Sequence, residues 1–201
     1  MTPLPQRRLS GAVLLLGGLL SAAGYVLEPT TSTDPVIVPA SWLIFSGAVL
    51  LLISLPWFHV VQGRAAGALG WWATMAICVS LGATQFPFAV LGLADPRYLD
   101  DDSVFHSSAA GTAQFVGLLV LAVGVILLAV ATFLAGVHPR WTVWCLVAIV
   151  VISLVLQFLP ALSAPLRYPA EIFVLVALLG LAVMGSPRTV ARPDPVPVPV
   201  A

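Results

Sequence analysis

Six long apolar stretches, each free of charge in its interior, succeed one another along the chain at 9–27, 40–61, 65–91, 108–134, 141–159 and 169–184. A hydrocarbon core of about 30 Å is crossed by a helix of ~20 largely apolar residues, so each stretch has roughly the length of a membrane span. The last is the shortest, and Arg167 and Tyr168 before it are placed to extend it into the headgroups. Composition agrees with this reading. Charged residues make up 8% and apolar residues 60% of 201 residues, with a mean hydropathy of +1.08. That leaves too little polar surface to cover a water-soluble domain. Lipid removes the difficulty, because apolar side chains can face it. The fold expected is all-α, a polytopic membrane bundle of six transmembrane helices over residues 1–187. Residues 188–201, rich in Pro-Val, are expected to form an extended, disordered cytoplasmic tail.

Charge supplies an orientation. With the N-terminus in the cytoplasm, Arg7, Arg8, Arg64, Arg140, Arg188 and Arg192 fall inside, and only Arg97 and Arg167 fall outside. Retained positive charge sets topology, whereas acidic residues contribute little. The expectation is a multi-pass plasma-membrane protein with both termini cytoplasmic. Arg7 and Arg8, the apolar run after them and Ser21-Ala22-Ala23 have the outline of a cleavable signal. Five further spans favour a retained helix instead. Trp42, Trp57, Trp71, Trp72, Trp141 and Trp144 lie near span ends, where interfacial belts form.

The first span carries Gly17, Ser21 and Gly24 at helical spacing, with Gly11, Gly18 and Ala22 nearby. Small residues on one face let helix backbones approach closely in lipid, and packing against a sister helix is the expectation. Pro56 and Pro87 each remove a helix hydrogen bond and should bend the second and third spans. Cys78 and Cys145 lie at different depths, which argues against a disulfide.

Activities that need ionisable groups at mid-membrane are disfavoured, since no Asp, Glu, Arg or His lies in the middle of any span. Proton relays and voltage sensors keep such costly groups for use. Phosphate-cradling loops, dinucleotide fingerprints, CxxC and HExxH motifs are missing as well. No cofactor, no nucleic acid and no enzymatic activity is expected, because no nucleophile–base pair stands out.

Among the uncharged polar groups inside spans, a set of amides stands out. Gln85, Gln114 and Gln157 sit on spans three, four and five. At ~1.5 Å per residue each lies roughly 5–15 Å below the outer boundary. Ser80 and Thr84 neighbour Gln85, and Tyr25 approaches from the first span. As a ligand site these amides would form a polar pocket open to the outside, with Glu171, Glu28, His106 and Arg167 at its rim. As structural glue they would hydrogen-bond between helices, at about 0.6 kcal/mol each. Arg167 and Glu171 stand four apart at the start of the sixth span, where Glu171 suits the helix dipole. Asp100, Asp101, Asp102 and His106 form an acidic loop without the spacing of a metal site. His59 and His138 share the cytoplasmic face but lack a carboxylate partner in the loops there, so no metal centre is expected.

The loop Gly136-Val137-His138-Pro139-Arg140-Trp141, with the six-span layout and the small-rich first helix, resembles a group of uncharacterised bacterial integral membrane proteins over nearly the full length. The resemblance implies the topology and supplies no activity. The functional expectation is therefore a non-enzymatic accessory or interaction protein whose partners are the lipid bilayer and a membrane protein. The alternative is a small-solute permease or lipid-handling protein using the outer amide pocket.

Overall fold

The computed structural model describes residues 4–27, 37–94, 109–158 and 170–185, with the backbone alone for some of them, including Arg64, Pro87, Gln114 and Gln157. They form six α-helices and no strand: α1 (Leu4–Leu27), α2 (Ile37–Gln62), α3 (Gly67–Ala94), α4 (Ala109–Ala135), α5 (Trp141–Phe158) and α6 (Ala170–Gly185), with a 3₁₀ turn at Gly63–Ala66. The first four are long and apolar enough to cross a membrane, and α5 and α6 contribute shorter apolar helices. The expected all-helical fold class is borne out. The outer loop with Asp100 to His106, and the Pro-Val tail, lie outside the described residues.

Each helix packs on its chain neighbours, α1 on α2, α2 on α3, α3 on α4, α4 on α5 and α5 on α6, and α6 returns to α1. The result is a closed ring of helices in chain order. Closing the ring requires the first and last helices to meet, and α1 has small residues on two faces for the purpose. Gly17, Ser21 and Gly24 face α2, where a Cβ on Gly24 would lie 2.9 Å from the Ala40 carbonyl oxygen. Gly11 and Gly18 face α6. A Cβ built on Gly18 would lie 2.7 Å from the backbone nitrogen of Ala177, and one on Gly180 would lie 2.6 Å from the Gly11 carbonyl oxygen. Backbone contact this close is the usual reason for small residues between helices in lipid. The small-residue stripe thus serves sister helices, on both of its sides.

The middle of the ring is filled. Leu14 of α1, Leu51 and Phe58 of α2, Ile77 of α3, Leu128 of α4, Leu146 of α5 and Val183 of α6 are all buried in one continuous cluster. Large apolar side chains cover the outside instead, among them Leu9, Ile53, Val79, Phe133 and Val151. All six tryptophans are exposed. Trp57, Trp71, Trp72, Trp141 and Trp144 sit towards the end of the bundle that carries the α2–α3 and α4–α5 connections, and Trp42 sits towards the other. α2 continues as helix through Pro56, and α3 continues through position 87. Cys78 and Cys145 are free thiols, as their depths require.

Candidate functional site

Polar side chains gather at both ends of the packed interior. At the end opposite the short connections, Tyr25 of α1 stacks on Phe173 of α6, with ring centroids 5.4 Å apart and planes at 10°. Its hydroxyl donates to Gln85 Oε1 of α3 at 2.6 Å. One side chain therefore ties three helices together, two of which are not neighbours in the ring. A turn deeper, the Ser80 hydroxyl donates to the Gly117 carbonyl of α4, and Thr84 donates to the Ser80 carbonyl at 2.9 Å. These bonds satisfy groups that would be costly to bury alone.

Gln85 accordingly stands where the sequence places it, joined to Tyr25. Glu171 lies in the first turn of α6, two residues before Phe173, with its Oε2 buried and without a hydrogen-bond partner among the described residues. Gln114 belongs to α4 and Gln157 to α5, but their side chains, with Glu28, His106 and Arg167, lie outside the described residues.

A second polar cluster occupies the other end, where the sequence suggests only boundary residues. Its frame is the turn between α4 and α5. Gly136, at φ +61°, ends α4 by donating its N–H to the Thr132 carbonyl at 3.2 Å. A left-handed residue at this position closes a helix, and glycine adopts it without a Cβ penalty. Pro139 has no N–H to continue the ladder of α4 and disfavours helical backbone at His138, where the chain bends. α5 restarts with Thr142 N–H donating to the Pro139 carbonyl at 3.0 Å. This turn delivers His138 into the bundle end, where only 7% of it is exposed.

There the imidazole stacks on Phe58 of α2, centroids 4.7 Å apart. Burial, with the nearby Arg7 guanidinium adding to it, pushes the His138 imidazole down to about 4, so it is neutral at pH 7. Arg7 is itself 7% exposed. It comes from α1, on the opposite side of the ring from α4, so the two cap the interior between them. One turn beyond Phe58, Gln62 Nε2 donates to Thr132 Oγ1 at 2.7 Å. Gln62 Oε1 and the fully buried Thr142 Oγ1 have no hydrogen-bond partner among the described residues. His59, next in chain to Phe58, turns instead towards Trp71, at 5.8 Å between centroids. The two histidines thus serve different neighbours. The described residues hold no group of three or more His, Cys, Asp or Glu.

Reading the sequence alone misses this inner cluster. Gln62, Thr132 and Thr142 each stand at a span end, where polarity ordinarily marks the water boundary. The available signal is Gln62 itself, an amide at an end otherwise marked by arginine and tryptophan.

On the outside, α4 and α5 diverge enough to leave an apolar groove of about 300 Å³. Ile126, Val130 and Phe133 of α4 and Val143, Val147 and Val151 of α5 line it, over a floor of Ala129 and Val150. Comparison with protein-family models, curated proteins and solved structures finds no match.

Proposed function

We propose that the chain crosses a bacterial plasma membrane six times, with both termini cytoplasmic, and works as a non-enzymatic accessory or scaffold protein. The observation that carries this reading is the filled interior. Leu14, Leu51, Ile77, Leu128, Leu146 and Val183 occupy the space a solute would need, and a hydrogen bond between helices crosses each end, Tyr25 to Gln85 at one and Gln62 to Thr132 at the other. What remains for function is the outer surface, and that surface is apolar and framed by exposed tryptophans. Arginine placement supports the orientation, since the connections with Arg64 and Arg140 share one end of the bundle.

The test is purification from native membranes in a mild detergent, followed by reconstitution. The expected result is a stoichiometric membrane-protein partner, and liposomes that release small solutes no faster than empty ones. Solute-specific flux that Gln85→Leu abolishes would overturn it.

A second reading, a permease or lipid-handling protein, is favoured by one observation. Glu171 Oε2 is buried at the Tyr25 end without a described partner, and a ligand donor would satisfy it. Under that reading a ligand that raises the thermal midpoint should do so in wild type and fail in Glu171→Gln.

A further inference from the structure

We propose that the α4–α5 face holds one anionic phospholipid, with an acyl chain in the groove and the phosphate at Arg140. The proposal rests on the reading above only in placing α4 and α5 in a bilayer. It adds a ligand that the reading does not contain.

The order of side chains along α5 carries it. Val143, Val147 and Val151 follow at intervals of four, so they share one face of the helix, and Val143 donates its N–H to the Arg140 carbonyl at 3.1 Å, which sets Arg140 in the turn just ahead of them. Arg140 is exposed at the head of that stripe. Trp144 follows, with 71% of its surface exposed, and the aliphatic groove begins beside it. Cation, amphipathic ring and hydrocarbon thus come in the sequence in which a phospholipid presents phosphate, ester region and chain. Arg140 also stands before the first turn of α5, where the helix dipole favours an anion.

Charge selects the class of headgroup. From Ala109 to Phe158 the chain has no Asp, Glu or Lys, and Arg140 is its one arginine. With His138 neutral beside Arg7, the hairpin presents a single exposed cation and no anion to balance it. A guanidinium fork matches a phosphate oxygen pair. A headgroup with net negative charge gains from this, whereas a zwitterionic one brings its own cation towards Arg140.

The lining argues for a lipid chain over a partner helix. Helices associate in lipid through small residues that let backbones approach and through polar side chains. The groove walls are Val, Ile and Phe without a polar group. The small faces of α1 are already used on α2 and α6. A flexible hydrocarbon chain can follow irregular branched walls, while a second helix would rest on their crests.

The experiment reconstitutes the protein in nanodiscs of equal phosphatidylcholine and phosphatidylglycerol and reads the retained lipid by native mass spectrometry. Wild type should retain phosphatidylglycerol at least about fivefold over phosphatidylcholine. Arg140→Gln should bring that ratio to about one, and Val147→Trp, which fills the groove, should lower retention of both lipids. Phosphatidylglycerol added in detergent should raise the thermal midpoint of wild type and not of Arg140→Gln, a readout that keeps the test valid if one variant is poorly produced. An unchanged preference in Arg140→Gln, equal retention of the two lipids by wild type, or a dimer cross-linked through Val130→Cys would overturn the proposal. A protein that fails to enter nanodiscs at all would instead contradict its placement in a bilayer.

Discussion

Tyr25 and Gln85 are sixty residues apart, on helices that are not ring neighbours, and are joined by a hydrogen bond of 2.6 Å from the phenol to the amide oxygen. The phenol ring meanwhile lies flat on Phe173. The contact therefore has an apolar part and a polar part that substitution can separate. Tyr25→Phe keeps the stack and deletes the donor. Thermal unfolding in detergent should show a loss of about 0.6 kcal/mol, with ~1.7 as the upper end for such bonds in membrane proteins. Gln85→Leu should lose a similar amount, and the double variant should lose little more than either alone.

Two glycines should respond to the same change with opposite sign. Gly180→Ala sets a methyl 2.5 Å from the backbone nitrogen of Leu15, so α1 and α6 must separate. Overpacking of this kind costs about 1–3 kcal/mol. Gly82→Ala on α3 meets nothing within 4 Å, and helix propensity alone should stabilise it, by up to about 1 kcal/mol. Midpoints of thermal unfolding for the two variants, on either side of wild type, check the pair.

The inner cluster predicts an order of severity. Thr132→Val leaves the whole Gln62 amide buried without its described partner, whereas Gln62→Leu removes the amide together with its unsatisfied oxygen. Each change strands one buried partner, but Thr132→Val strands a whole amide, whereas Gln62→Leu strands a single hydroxyl that can turn to a carbonyl of its own helix. Thr132→Val should therefore be the more destabilising, by about 1 kcal/mol. The reverse order in detergent unfolding would mean that Gln62 contributes mainly through packing.

Acidification should weaken the same end. The imidazole of His138 is held down to about 4 in the folded protein, against about 6.5 for an unperturbed histidine. As pH falls through 6.5 the unfolded chain takes up a proton that the folded one refuses until about 4. The contribution is fully present above pH 6.5 and is lost across this window at about 1.4 kcal/mol per pH unit. His138→Gln should unfold with a shallower pH dependence than wild type between pH 6.5 and 4.5, measured as the difference between the two proteins. Parallel curves would show that the imidazole takes up its proton in the bundle as readily as in the unfolded chain.

The helices were legible because length and hydropathy are enough to find them. The stretch at 141–159 became Trp141–Phe158, and that at 169–184 became Ala170–Gly185. The closeness of Tyr25 and Gln85 was legible too, since both lie at one depth. Their bond was not. Helices that are apolar all round carry no polar face to say which side points inward. Only the small residues of α1 broke that symmetry, and they gave one neighbour where the structure has two. Burial of Arg7 and His138 escaped notice for the same reason. At a span end, a charged residue turned to water and one folded over the bundle's mouth read alike. His138 is turned inward by Gly136 and Pro139, whose backbone consequences are local and whose result is tertiary.

The most direct measurement is solvent access to the middle of the ring. Single cysteines at Ile77, Leu128 and Val183, in a protein with Cys78 and Cys145 replaced by alanine, would be exposed in intact vesicles to a membrane-impermeant thiol reagent from each side in turn. A filled interior predicts no labelling at any of the three from either side, with ready labelling of a cysteine at Arg140. Modification of Ile77 or Leu128 at rates near that of the Arg140 position would mean that water reaches the core, and would contradict the account.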